Sequence, residues 1–197
     1  GLAAPRPKAR IAAIAADCRP EIVLGRAEQA PAWQAAEGGA AFLATDLLQG
    51  PPGRADRTTP QPLALLQYTS GSTSRPRGVA LTHDNIIANA RALIDHVPVG
   101  ATWLPQFHDM GLIGHYLFPI VLGGCCHGMA AAEFLRRPES WLRLIGRQGA
   151  TYAAAPPFAF EQLLHRMDAL PAAMAGLDLS SLRVLMAGAE PVRPELL

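Results

Sequence analysis

The chain has 197 residues, half of them hydrophobic and 17% charged, with 17 Lys and Arg against 16 Asp and Glu and a formal net charge of +1. So much apolar material with so little self-repulsion excludes wholesale disorder and gives room for one ordinary domain or two small ones. The balanced charge, with no cluster of Lys and Arg, excludes a broad electrostatic grip on nucleic acid, and the longest apolar stretch, Gly111 to Cys126, is broken by His115 and Pro119 and falls short of the ~20 residues that span a bilayer.

In chain order, small apolar residues at helical spacing predict a helix from Lys8 to Asp17, stopped by Pro20, followed by a short strand at Glu21–Leu24. A second helix is expected around Ala27 to Glu37 and a strand at Ala41–Ala44, before a linker from Gln49 to Pro62 rich in Pro and Gly. Leu63–Tyr68 reads as a buried strand, and a polar Gly/Ser/Thr loop to Pro76 returns through a strand at Arg77–Leu81. Thr82 is placed to cap a helix from His83 to about His96, and Ala101–Pro105 looks extended. A helix from about Met110 to Leu122, a strand at Cys125–Met129, a helix after Pro138, a strand at Thr151–Ala154, a helix at Phe158–Met167 and a strand at Arg183–Met186 continue the alternation. That succession predicts an α/β fold with largely parallel sheets and flanking helices.

The three cysteines, Cys18, Cys125 and Cys126, are odd in number and make no disulfide framework, which points to a reducing cytoplasm. Cys125-Cys126-His127 lacks zinc spacing, since adjacent strand residues point to opposite faces. His83, His96, His115 and His165 show no ligand pattern and are expected to be satisfied or exposed. The first residues, Gly1 to Lys8, carry neither an initiator Met nor an apolar targeting core, which suggests an internal piece of a longer protein.

The most informative run is Tyr68 to Gly78, directly after an apolar strand. Successive backbone N–H groups in a tight Gly/Ser loop can converge on an anion, hydroxyls add donors and a cation neutralises charge, so the run has the parts of a polyphosphate cradle. A hydroxyl-rich hairpin turn is the plain alternative. The loop lacks the Lys-Ser/Thr pair of the Gly-x-x-x-x-Gly-Lys-Ser/Thr motif, and Gly-x-Ser-x-Gly is absent, which disfavours a kinase, a GTPase or an α/β hydrolase. Ser72, His108 and Asp109 do not make a hydrolytic triad by adjacency in sequence.

Leu66 to Thr73, with Pro76-Arg77-Gly78-Val79, resembles the phosphate loop of acyl-adenylate-forming enzymes. Trp103 to Gly114 resembles a segment of the fatty acyl-AMP ligases, and Gly188 to Arg193 resembles their adenine-binding turn. The resemblance implies a partial large domain of such a ligase, with residues 1–62 as a leading α/β segment and linker, residues 63–197 as the nucleotide-binding segment and the carboxy-terminal lid absent. It implies ATP as substrate with Mg2+ as counterion, a long-chain fatty acid, and transfer of the acyl group to an acyl carrier protein of a polyketide or lipopeptide system. The alternatives are an acyl-CoA ligase and a non-catalytic nucleotide-binding module, and the isolated chain is expected to be inactive.

By the same resemblance Thr69, Ser70, Gly71, Ser72 and Thr73 hold the β and γ phosphates, with Gly78 in the loop and Arg77 supplying the cation. His108 lies near the acyl carboxylate and α-phosphate and stabilises charge, while Gly188 and Ala189 let the backbone close on the adenine, and Glu190 or its neighbouring carbonyls engage the amino edge, the alternative being a solvent-exposed turn acid. Ser74 stands where the family commonly has glycine, Arg77 where it has lysine, and Pro157 where asparagine commonly precedes the aromatic. The helix after Asp109 presents Gly111 and Gly114, whose small size leaves space for an acyl chain or for ordinary packing.

Overall fold

The helical spacing that begins at Lys8 forms α1 (Pro7–Cys18) in the computed structural model, which describes residues 7–34, 39–50, 62–69 and 77–192. Two compact units divide the chain, Gly1–Thr82 and His83–Leu197. In the first, β1 (Ile22–Gly25) pairs in parallel with β2 (Ala41–Ala44). The helix expected between them is split into a 3-10 turn, Ala27–Gln29, and α2 (Ala30–Gln34). Pro31 explains the split: it has no N–H to donate to the Ala27 carbonyl, which instead accepts from Ala30 N. Trp33 is the buried large side chain of this layer, its indole N–H donating to Ala40 O at 3.2 Å.

The unit's second sheet is the antiparallel hairpin of β3 (Leu63–Thr69) and β4 (Arg77–Thr82). β3 was expected to be buried, yet Leu63 and Leu66 are 45% and 40% exposed. A two-stranded ribbon cannot shield both its faces by itself. Most of the expected linker, residues 51–61, lies outside the described residues.

The second unit runs α3 (His83–Leu93), β5 (Val99–Thr102), a wide π-helix (Met110–Leu117) that continues as α4 (Phe118–Leu122), β6 (Cys125–Gly128), α5 (Ala131–Arg136), α6 (Glu139–Gln148), β7 (Tyr152–Ala155), α7 (Pro157–Ala169) and β8 (Val184–Ala187). Its four strands are all parallel, in the order β6-β5-β7-β8. α5 was not expected from sequence. Phe134, fully buried, anchors it, and Glu133 pairs with Arg136 and Arg137 around its end.

β7 shows why this sheet has two covered faces. All four of its residues are buried, with Ala153 and Ala155 packed among Trp141, Ile145 and Leu163, and Tyr152 and Ala154 packed among Ala90, Ile94 and Phe118. Alternate residues of one strand therefore serve α5, α6 and α7 on one side and α3, the π-helix and α4 on the other, as a parallel sheet between helical layers requires.

α6 and α7 are tied by Glu139, whose side chain is 9% exposed, and Arg166: Nε donates to Oε2 at 3.0 Å and Nη2 to Oε1 at 3.1 Å. The guanidinium holds the Glu139 carboxyl below the usual carboxylate range. Arg166→Met leaves that carboxylate enclosed without its partner. We expect a loss of about 2 kcal/mol in urea unfolding at neutral pH, less than the ~3–5 kcal/mol of a fully buried pair because Arg166 is one-third exposed. A depressed carboxyl pKa stabilises the fold above the ordinary value and loses that contribution as pH falls through the folded one, so the variant's deficit should shrink in acid.

Candidate active site

The hairpin of the first unit sets Thr69 opposite Arg77 and Tyr68 opposite Gly78. Both ends of the phosphate-loop candidate are thus fixed by strand pairing, while Ser70, Gly71, Ser72 and Thr73 lie outside the described residues. Gly78 has a local reason to be glycine: a Cβ there would stand 2.9 Å from the Tyr68 ring that crosses it. Tyr68 donates its hydroxyl hydrogen bond to Asp17 Oδ2, and that carboxylate pushes the phenol up to about 12. Arg77 is exposed at the start of β4.

In the second unit the strand order creates a reversal. From β5 the chain passes to β6 on one flank, and from the adjacent β7 it passes to β8 on the other. Carboxyl ends of neighbouring strands whose connections part in this way leave a crevice where open α/β sheets take their ligands.

His108 and Asp109 sit on that edge, in the segment leaving β5. His108 N donates to Pro105 O at 3.1 Å, closing a turn, and its Nδ1 lies 2.7 Å from Asp109 Oδ1. The same carboxylate oxygen accepts from Met110 N at 2.8 Å, capping the π-helix. Both side chains are about half exposed, at 55% and 56%. Asp109 therefore orients the imidazole through Nδ1 and leaves Nε2 as the ring atom for a ligand.

The other strand ends meet the same edge. Gly188 follows β8, donates its N–H to Ala155 O at 3.3 Å, and lies so near Met110 that an added Cβ would stand 3.1 Å from Met110 Cε. Ala189 has φ +73, a left-handed conformation that costs a non-glycine residue ~1 kcal/mol or more. Glu190 is exposed beyond it. Pro156 and Pro157 open α7 after β7, and Phe158 meets Trp103 edge-on at 5.9 Å.

The two glycines of the π-helix do not leave open space. A Cβ on Gly111 would fall 2.1 Å from Pro105 O, and one on Gly114 would fall 3.2 Å from Tyr152 Oη. They admit a carbonyl and a phenol, so packing is what their size serves.

Sequence reasoning gave His115 no role beyond being satisfied, and it lies fully buried between strand and helix. Ala154 N–H donates to its Nε2 at 3.2 Å, so Nδ1 carries the proton and faces Met110 O at 3.2 Å. Burial lowers its pKa to about 4, against the smaller opposing effect of the Met110 bond. A histidine inside an apolar, glycine-bearing helix was the available signal. Among the described residues no three His, Cys, Asp or Glu side chains gather to hold a metal, so they form no cage for magnesium. No helix among them is long and apolar enough to cross a membrane.

A parallel sheet with a His–Asp pair and a glycine turn at its reversal point has the architecture of an open α/β sheet whose crevice lies at the carboxyl ends of its strands. The family model of AMP-binding enzymes matches residues 3–197, and the chain belongs to that family. It is 40% identical over 139 residues to the medium-chain-fatty-acid–[acyl-carrier-protein] ligase TtuA of Teredinibacter turnerae, covering 68% of this chain and 21% of that protein. It is likewise 40% identical over 148 residues to the long-chain-fatty-acid–AMP ligase FadD23 of Mycobacterium tuberculosis, covering 70% and 25%. The fatty acyl-adenylate ligase of L. pneumophila, solved with acyl adenylate and pyrophosphate, superposes with a TM-score of 0.79 at 32% identity over 97% of this chain and 35% of that one. The chain thus spans between about a fifth and a third of the length of these proteins.

Proposed function

We propose that the chain is the phosphate- and adenine-binding part, residues 63–197 with a leading segment 1–62, of an ATP-dependent fatty acyl-AMP ligase. The observation that carries the reading is the gathering of His108, Asp109 and the Gly188–Glu190 turn on one carboxyl edge at the sheet's reversal point. Relatives named for fatty acids, AMP and acyl carrier protein support it.

In this reading the fatty acid carboxylate attacks the α-phosphorus of ATP, the bond to the bridging oxygen breaks, and pyrophosphate leaves with that electron pair. A carboxyl with a pKa near ~4 is already ionised at neutral pH, so no base is required. His108, oriented by Asp109, meets the charge that builds on the α-phosphate and acyl oxygens. Residues Thr69 to Thr73 and Arg77 hold the departing phosphates, whose magnesium would arrive with them. Gly188, Ala189 and Glu190 border the adenine. The thiol of a carrier protein's phosphopantetheine, of the polyketide or lipopeptide kind, then attacks the acyl carbonyl and releases AMP.

The test uses the full-length protein. It should exchange labelled pyrophosphate into ATP only when a fatty acid is present, and transfer the acyl group to carrier protein in preference to CoA. Dominant acyl-CoA formation would make it a CoA ligase; ATP binding without exchange would reject catalysis altogether. Arg77→Ala should lower the exchange kcat about tenfold, the worth of a charged hydrogen bond, with the apparent KM for fatty acid unchanged. Parallel loss of both would remove Arg77 from the phosphates.

A further inference from the structure

The registered ladder at the seam between β5 and β7 is short. One registered pair, Gly100 with Tyr152, is formed although each strand has four residues, and just before it Thr151 N–H donates to Val99 O at 2.8 Å. Beyond it the backbone groups that face across the seam are identifiable by alternation. Met129 N–H donates to Thr102 O on the β6 side at 2.9 Å, so the Ala101 carbonyl faces β7. Gly188 N–H donates to Ala155 O on the β8 side, so the Ala154 N–H faces β5.

Neither group is left orphaned, and each is met by a side chain. The Ala154 N–H goes to His115 Nε2, from the face covered by the π-helix, and the Ala101 carbonyl accepts from Trp141 Nε1 at 3.0 Å, from the face covered by α6. Buried backbone groups require partners, and here two side chains supply them in place of the ladder. Trp141 and His115 are both fully buried.

His115 also reaches along its own helix to the backbone O of Met110, one residue from the His108–Asp109 pair, and the Met110 side chain ends beside Gly188. One imidazole therefore connects the end of β7, the start of the π-helix and, through Met110, the turn after β8. We propose that His115 is a positioning residue: by taking the Ala154 N–H it ties β7 to the π-helix beyond the short β5–β7 ladder and fixes the spacing between His108 and the Gly188–Glu190 turn for adenylation. This rests on the ligase reading above, and its effect belongs in the chemical step.

Two variants separate this role from simple packing. His115→Gln extends an amide oxygen to the position of Nε2 and can keep the Ala154 bond, whereas His115→Asn reaches only the position of Nδ1 and loses it. In the full-length protein we expect His115→Asn to lower the pyrophosphate-exchange kcat about tenfold with KM values for ATP and fatty acid within twofold, and His115→Gln to recover most of it. Amide exchange at Ala154 should be faster in the Asn variant and near the parent rate in the Gln variant. Equal kcat in the parent and both variants, or equal loss in both, overturns the positioning role. Absence of exchange activity in the unsubstituted protein would instead defeat the ligase reading, and the Ala154 exchange rates would still show whether His115 ties β7 to the π-helix.

Discussion

Gly111→Ala should lower fatty-acid-dependent pyrophosphate exchange about 100-fold and destabilise the fold by about 3 kcal/mol, the upper range for an overpacked site. The new Cβ would stand 2.1 Å from Pro105 O and 2.9 Å from its carbonyl carbon. Carbon–oxygen contacts settle at roughly 3.3 Å or more, so the two backbones must part by about 1 Å. Neither is a flexible side-chain tip. The Pro105 carbonyl accepts from His108 N, so whatever displaces it moves His108 as well, and a 1 Å error at reacting groups is enough for a loss of roughly that size. Gly128→Ala is the control: its Cβ would meet Tyr116 Oη at 3.5 Å, an ordinary contact, and should change stability by less than about 0.5 kcal/mol. Urea unfolding and exchange kinetics on both variants decide the matter; a Gly111→Ala protein as active and stable as the control would show that this close approach does not set the position of His108.

The alternating elements of the second unit were legible because each strand is a short apolar run bounded by Gly, Pro or a polar turn, and each long helix carries an apolar face. Boundaries differ by one to three residues, as at β5, which ends at Thr102 where the expected extended segment runs from Ala101 to Pro105. The pairing within the sheet was not legible. Nothing in the four residues of β5 says that β6 lies on one side and β7 on the other, because that order follows from which helix faces must be covered. The wide π-helix was also hidden. Met110 to Leu122 has ordinary helical periodicity, and the contacts made by the wide turns, Pro105 O close to Gly111 and the Ala154 N–H on His115, are not written in that periodicity.

The site divides in the same way. His108, Gly188 and Ala189 are candidates through motif resemblance alone, and the fold brings the helix that follows His108 beside Gly188 through Met110. Gly111 and Gly114 are read as space for an acyl chain or as ordinary packing: a small residue announces that something comes close, and only the fold says whether that is a ligand or the protein's own carbonyl. His115 was discounted since a single histidine without spaced partners is usually just satisfied. It is satisfied, by the N–H of Ala154 in β7.

That burial makes the fold pH-sensitive on the acid side of neutrality. A free histidine titrates near ~6.5, whereas His115 is held down to about 4 by its removal from water. Between those values the unfolded chain binds a proton that the folded one refuses, so stability rises with pH across the window. The contribution is complete above ~6.5 and is lost progressively as pH falls toward 4; at 1.36 kcal/mol per unit it amounts to about 3 kcal/mol. Protonation would also destroy the acceptor that Ala154 uses, so acid weakens the tie between the π-helix and β7. Urea midpoints of the parent and of His115→Gln, measured from pH 7.5 to 4.5, isolate this group, because the other titrating residues are common to both. The parent should lose about 2 to 3 kcal/mol more than the variant over that range. Parallel curves, or a folded-state His115 ring that titrates above pH 6 by NMR, would mean that the imidazole is not the buried neutral acceptor joining the helix to the strand.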